Sequence, residues 1–403
     1  MKVLFYSGSL GMGHVNRDLA IASELRKARN DLDIIWVAGE PALTRLREVR
    51  EKVVTSSEDL QKESEVLENV SNGFDSDMYS YLVQWDKNWQ GSYRKFLKIL
   101  AEVEPDLIIG DEAYEVITGF AKWPGDKHWP LAMLYDFPMF QSITGSVRER
   151  FICYMGNRYW NRGFKVRSSS DLSIFLGEKE EIPDVKYGPF RYNVRKVAWE
   201  RWKFVGNAIP FDPTQYADRA KVRKELGYPE DEVLIIGAVG GTNVGKPMLE
   251  LFGNAYPLLK ARLPNLHMVL VCGPRIDPGT VKVPDGVEVR GYVPDLFKHL
   301  AACDLCLTQG GGGTTMELTA LRKPFIYFPL EKHLEQQIYV SKKLELMHAG
   351  TKMVASQTSP TQLAEAVMKE LNRQVDYRTS GMNGVKGAAE EILGLMNKIS
   401  AAE

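Results

Sequence analysis

Short apolar runs alternate along the chain with longer amphipathic stretches, the mark of strand-helix-strand units around a parallel sheet. In the first half Lys2 to Ser7, Asp33 to Ala38, Asp106 to Gly110 and Pro130 to Tyr135 are predicted strands. A helix is expected from about His14 to Ala28, where Leu19, Ala22 and Leu25 share one face. The pattern restarts with Glu232 to Ala238, His267 to Cys272, Asp304 to Thr308 and Pro324 to Phe328. Between the two series runs Val205-Gly206-Asn207-Ala208-Ile209-Pro210-Phe211-Asp212-Pro213, whose glycine and prolines make it the natural linker. Gly384 to Ile399 is a last amphipathic helix. The expectation is α/β: two Rossmann-like parallel-sheet domains facing each other across a cleft, residues 1–205 and 206–380, with the C-terminal helix of 381–403 packing back toward the first.

Composition narrows this little and agrees with it. A chain of 403 residues exceeds what one core supports, and 44% hydrophobic with 26% charged residues is ordinary globular usage. A net charge of -1 argues against a surface-wide attraction to nucleic acid. Four cysteines, at 153, 272, 303 and 306, are too few for a disulfide framework, and a cytoplasmic, reducing setting is expected. Cys303 and Cys306 form a lone C-x-x-C without a second ligand pair, so no metal is expected. Lys2-Val3-Leu4-Phe5-Tyr6 shows no positively charged leader or cleavage site and no apolar run is long enough to span a bilayer, so a soluble or at most peripheral protein is expected. Residues 148–167 interleave six basic residues with Phe151, Tyr154, Tyr159, Trp160 and Phe164. Such a stretch suits either a peripheral contact with an anionic membrane or an amphipathic helix over the core.

Candidate chemistry gathers where predicted strands end. Gln309-Gly310-Gly311-Gly312-Gly313-Thr314-Thr315-Met316-Glu317 reads as strand end, glycine turn and helix start. Glycines let the backbone approach a ligand, and free amides at a helix N-terminus favour a phosphate. Thr314 and Thr315 add hydroxyls, and Glu317, placed in the first turn, either accepts ribose hydroxyls or is simply a favourable acidic residue there. Phe328-Pro329-Leu330-Glu331-Lys332-His333-Leu334-Glu335-Gln336-Gln337 offers polar side chains to sugar hydroxyls or to a helix cap. Gly240 to Pro247 nearly matches a phosphate loop, but Pro247 stands where magnesium would need a hydroxyl, which argues against a P-loop NTPase. Ser7 to His14 follows the first strand without G-x-G-x-x-G spacing, so a dehydrogenase using Glu40 is a minor alternative.

The order Gln-Gly-Gly-Gly-Gly-Thr-Thr-Met-Glu, Phe-Pro-Leu, His-Leu-Glu-Gln-Gln resembles the C-terminal half of GT-B glycosyltransferases, nearest the family of the peptidoglycan N-acetylglucosaminyltransferase and the UDP-glycosyltransferases. The similarity is plainest over about Val287 to Gly350 and recurs at the N-terminus. It implies an enzyme moving a sugar from a nucleoside diphosphate, UDP foremost, to an acceptor hydroxyl, with inversion and without an obligatory metal or other cofactor. Gly311, Gly312, Gly313, Thr314 and Thr315 would hold the diphosphate, with Gly241 and Thr242 on a second phosphate-side loop. Glu317 would take the ribose, Glu335 and Gln336 the sugar, Tyr292 and Val293 the edge of the base. Gln309 departs from the His or Ser-Arg common in relatives.

On the acceptor side, Gly13-His14 resembles the Gly-His in which the histidine is general base, with Gly11 shaping the loop. Asp111 would orient the ring, with Asp136 as the alternative. Arg17 stands where many relatives have proline, and reads as a cation for an anionic acceptor or as a solvated helix residue. A sugar-nucleotide 2-epimerase and a non-catalytic nucleotide-sugar-binding partner share this architecture and stay open.

Overall fold

The computed structural model describes residues 1–8, 11–59, 63–163 and 169–401, with side chains described for all of these except 58, 59, 63, 64 and 159–163. In chain order the elements are β1 (Lys2–Tyr6), α1 (Met12–Ala28), β2 (Asp33–Val37), α2 (Ala42–Glu48), α3 (Glu63–Asn69), β3 (Ser71–Asn72), β4 (Asp75–Ser76), α4 (Met78–Val103), β5 (Leu107–Asp111), α5 (Tyr114–Lys122), β6 (Leu131–Tyr135), α6 (Val147–Gly163), β7 (Leu172–Phe175), α7 (Val194–Arg201) and β8 (Lys203–Phe204). There follow α8 (Arg219–Leu226), β9 (Val233–Ala238), α9 (Lys246–Asn254), α10 (Tyr256–Lys260), β10 (Leu266–Val271), β11 (Val287–Arg290), α11 (Leu296–Ala302), β12 (Leu305–Gln309), α12 (Gly312–Ala320), β13 (Phe325–Phe328), α13 (Ser341–Leu346), β14 (Thr351–Lys352), α14 (Pro360–Leu371) and α15 (Gly384–Ser400).

These elements form two units. The first comprises residues 1–67, 78–210 and 381 onward; the second comprises 68–77 and 211–380. The expected boundary at 205/206 therefore moves to 210/211, and ten residues from within 1–205 belong to the second unit. The shift has a local cause. Gly206 has φ +81°, and a Cβ on it would lie 2.3 Å from the Gly381 carbonyl oxygen. Asn207 N–H donates to Gly381 O at 2.6 Å, and Gly384 N–H to Asn207 O at 2.9 Å. The predicted linker thus begins as part of the first unit, stitched to the start of α15.

The first unit is built on a parallel sheet of order β2-β1-β5-β6-β7-β8. Its central strands are buried on both faces, which is why Val3, Leu4, Phe5 and Leu107, Ile108, Ile109 read as unbroken apolar runs. Ile21, Ala22 and Leu25 of α1 join Val385, Ala388, Ile392 and Met396 of α15 over Val3 and Phe5 in one buried cluster. On α4, Trp89, Tyr93 and Phe96 are buried, with the Tyr93 ring stacked on Trp123 at 5.5 Å.

The second unit has the order β11-β10-β9-β12-β13-β14, again all parallel. Strand order reverses between β9 and β12, as it does between β1 and β5 in the first unit. In open α/β sheets such a reversal leaves a crevice at the carboxyl ends of the two strands, because their following helices lie on opposite faces. The loops after β1, β5, β9 and β12 are therefore the places to look for chemistry.

Candidate active site

At the first switch point, Gly11 is the N-cap of α1 with φ +152°, a backbone conformation that favours glycine. Gly13 and His14 follow in the first turn, and His14 Nδ1 lies 3.0 Å from Asp111 Oδ2 at the end of β5. Asp111 is fully buried. Arg17, one turn on, donates to Asp111 through Nε at 3.1 Å and through Nη2 at 2.6 and 2.8 Å, and its Nη1 reaches Asp136. Arg17 is thus not a solvated helix residue: the two aspartates predicted as rival partners of the histidine both bind it. Of the two, Asp111 touches His14.

The electrostatics follow from this packing. Burial and the Arg17 guanidinium, whose Nη2 is 2.7 Å from Nδ1, lower the proton affinity of His14, but the carboxylates of Asp111 and Glu112 outweigh them and raise its pKa to about 10. Burial alone would raise the Asp111 carboxyl; the charges and hydrogen bonds of Arg17 and His14 hold it well below the usual range instead. Asp18, fully buried one turn beyond His14, accepts from Ser7 Oγ at 2.6 Å, while its Oδ1 has no hydrogen-bond partner among the described residues. Burial, then the charge of Asp111, raises its pKa well above normal. Sequence reasoning passed over Asp18, although four residues after His14 on a helix is the same face. It also missed Glu112, whose φ of +52° marks a strained turn after β5 and whose Oε2 lies 4.0 Å from His14 Nε2.

At the second switch point, Gln309 ends β12 with its Oε1 buried and unpartnered among the described residues. A Cβ on Gly310 would lie 2.8 Å from Pro329 Cα, so glycine there is required by packing. Gly311, the N-cap of α12, is different. Its φ of -71° suits any residue, and a Cβ would meet no atom within 4 Å. Gly312 and Gly313 open the helix, with Thr314 beside them. A Cβ on Gly312 would come only as near as 3.8 Å to Glu335 Oε1, which brings the loop after β13 to this helix start.

Two roles change. The Thr315 hydroxyl donates back to Gly311 O at 2.8 Å, so it serves the helix. Glu317 is the sixth residue of α12 and lies in its second turn, not the first, because the helix starts at Gly312 directly after the glycine cap. Burial raises the Glu317 carboxyl to about 8. Gln336 is buried and its Oε1 accepts from Leu330 N–H at 2.9 Å, holding the loop, while Glu335 begins a π-helical turn to Val340. Gly241 and Thr242 lie after β9, where Thr242 caps a short turn into α9, and Pro247 occupies the first turn of α9. Tyr292 and Val293 lie half-buried after β11.

Among the described residues no group of three or more His, Cys, Asp or Glu is arranged to hold a metal ion, and no helix is long and apolar enough to cross a membrane. Of the 148–167 stretch, residues 164–167 lie outside the described residues, and the side chains of Tyr159, Trp160 and Arg162 are not described.

Each sheet thus keeps its polar groups and its spare glycines where strand order reverses, the plan of the GT-B fold. The family 28 glycosyltransferase C-terminal domain is matched over residues 235–392, from β9 through the second unit into α15, and with the relatives below it makes the chain a glycosyltransferase. An uncharacterized glycosyltransferase of Methanosarcina mazei is 25% identical over 395 residues, covering 94% of this chain and 92% of that protein. The UDP-N-acetylglucosamine--N-acetylmuramyl-(pentapeptide) pyrophosphoryl-undecaprenol N-acetylglucosamine transferase of Acetivibrio thermocellus is 24% identical over 416 residues, 99% of this chain and 98% of that one. The crystal structure of the glycotransferase of kitacinnamycin shares the fold, with a TM-score of 0.61 at 16% identity over 99% of this chain and 95% of that one.

Proposed function

We propose that the protein transfers a sugar with inversion from a UDP-linked donor to an acceptor hydroxyl, without an obligatory metal, with His14 as general base. The reading rests foremost on the His14 to Asp111 contact of 3.0 Å at the first switch point. A carboxylate on Nδ1 leaves Nε2 as the nitrogen that takes a hydroxyl proton, and stabilises the imidazolium so formed. The first unit then holds the acceptor and the second the donor. Amides at the start of α12 receive the diphosphate as its charge grows on departure, the office a cation fills in metal-dependent transferases. Glu317 binds the ribose and Glu335 the sugar; Gln336 acts through the loop it holds.

The raised pKa of His14 bears directly on this mechanism. A base must be neutral to act, so the working fraction of the site grows with pH.

A peripheral membrane contact at the cytoplasmic face belongs to the same reading. Val147, Phe151 and Tyr154 of α6 are exposed, as are Phe190, Tyr192 and Trp199, and Arg191 lies 4.3 Å over the Tyr154 ring. This basic and aromatic face suits an anionic bilayer carrying a lipid-linked acceptor.

The test is nucleotide release over a panel of UDP- and dTDP-sugars, with and without acceptors. A transferase releases nucleotide in step with an acceptor, a 2-epimerase interconverts donors without one, and a binding partner does neither. His14→Ala should abolish transfer while nucleoside diphosphate binding stays within a factor of about two; retained turnover would exclude His14 as the base.

A further inference from the structure

The ten residues 68–77 fold with the second unit although the chain on both sides folds with the first. Their contacts are specific at both ends. At one end, Arg275 grips the Glu68 carboxylate with Nε to Oε1 and Nη2 to Oε2, each at 2.7 Å, and Asn243 N–H donates to the same Oε1 at 3.1 Å. At the other, Glu331 N–H donates to Phe74 O and Ser76 N–H to Glu331 O, both at 2.8 Å, Asp75 pairs with Lys332, and Phe74 packs on the second unit's core.

The partners share a location. Asn243 follows β9, Arg275 follows β10, and Glu331 and Lys332 follow β13, all at strand carboxyl ends. Since β9 and β12 lie between β10 and β13 in the sheet, a segment touching all three loops crosses the switch point. Three strand spacings are about 14 Å, within the ~23 Å that seven residues span when extended. The loops after β9 and β10 are also in direct contact, since a Cβ on Gly273 would lie 2.3 Å from Gly240 O.

Resting on the donor reading above, we propose that Glu68 is a positioning residue of the donor site. Its carboxylate locks the Gly240 to Asn243 loop against Arg275, while residues 74–76 add a strand to the loop that precedes Glu335. Segment 68–77 thereby holds the donor-side loops in register. An isolated surface pair would contribute little, but this one is bidentate, its carboxylate is 8% exposed, and it also satisfies an amide at the start of a helical turn.

The measurement is calorimetric titration of the full chain with UDP, together with donor and acceptor KM and the thermal midpoint. Glu68→Gln keeps the shape and removes the charge. It should weaken UDP binding and raise donor KM about tenfold, leaving acceptor KM and kcat unchanged. Arg275→Met should match it, and the double variant should lose no more than either single one. Asp75→Asn loosens the other end and should raise donor KM without disturbing Asn243, which keeps the proposal testable if the Glu68 variants misfold. Unchanged affinity in the folded variants overturns the proposal. So does tighter binding, which would make Glu68 an anion competing with the phosphates. A wild-type protein that binds no nucleoside diphosphate would instead overturn the donor reading itself.

Discussion

Gly311→Ser separates ligand from fold more cleanly than any other change in the donor site. The residue has φ -71° and ψ 139°, which serine adopts without strain, and a Cβ there meets no protein atom within 4 Å. Removing a glycine lowers the entropy of the unfolded chain, worth about 0.4–1 kcal/mol. Serine is also a somewhat better N-cap than glycine, by a few tenths of a kcal/mol. The variant should therefore be more stable by ~1 kcal/mol, a rise of about 2–4 °C in Tm for a domain of this size. Binding should move the other way. The new hydroxymethyl group enters the space left for the diphosphate, and its oxygen takes the amide of Gly313 or Thr314 that a phosphate would use. The charge-assisted hydrogen bond lost, at about 1.5–3 kcal/mol, corresponds to at least about tenfold in Kd. Calorimetric titration with UDP and a thermal melt on the same sample give both numbers. Gly310→Ala is the control, since its Cβ would be driven to 2.8 Å from Pro329 Cα and the fold should suffer first. A Gly311→Ser protein that melts higher and binds UDP as tightly as wild type would show that this glycine is not kept open for a ligand.

Because the pKa of His14 is raised to about 10, kcat/KM should climb as pH rises from 7 toward 10, while the stability that the charged ring lends the fold, complete below about 6.5, is lost over the same range. A rate that levels off near pH 7 would refute the pairing as drawn. Asp18 keeps its proton well above the usual carboxyl range through burial and the charge of Asp111, so the folded protein loses stability relative to the unfolded chain as pH rises above about 4. Asp18→Asn should remove that slope, and its advantage in urea unfolding should grow as pH rises above about 4, at up to ~1.4 kcal/mol per pH unit; a constant difference would mean the carboxyl is ionised. Phe151→Glu with Phe190→Glu should cut flotation with phosphatidylglycerol vesicles at least tenfold and leave UDP binding alone; flotation equal to wild type would remove the membrane contact from the reading.

What the sequence disclosed depended on how local the cause was. The core strands were legible because buried parallel strands are continuous apolar runs, as in Leu107 to Ile109. Strand β11 was not among the predicted strands, since Val-Glu-Val-Arg lies half-buried on the edge of its sheet and lacks the continuous apolar run of a central strand. The glycine run at 310–313 raised the expectation of a phosphate site, but only the fold distinguishes Gly310, pressed on Pro329, from Gly311, pressed on nothing. Contacts such as Glu68 with Arg275, 207 residues apart, leave no trace in spacing or periodicity.

Arg17 shows the same limit from the opposite side, because its neighbours in sequence suggested solvent and its neighbours in space are two aspartates and a histidine. The consequence is mechanistic. A lone buried Asp111 would have to choose between repelling burial and binding a proton; with Arg17 held on both of its oxygens it stays ionised, and an ionised Asp111 is what orients His14. The same guanidinium sits 2.7 Å from the ring nitrogen and opposes the charge that Asp111 invites there. One side chain therefore both preserves the carboxylate and restrains its effect on the base. A proline at position 17 could do neither, so where relatives carry one, the proton affinity of the corresponding histidine must be set by other groups.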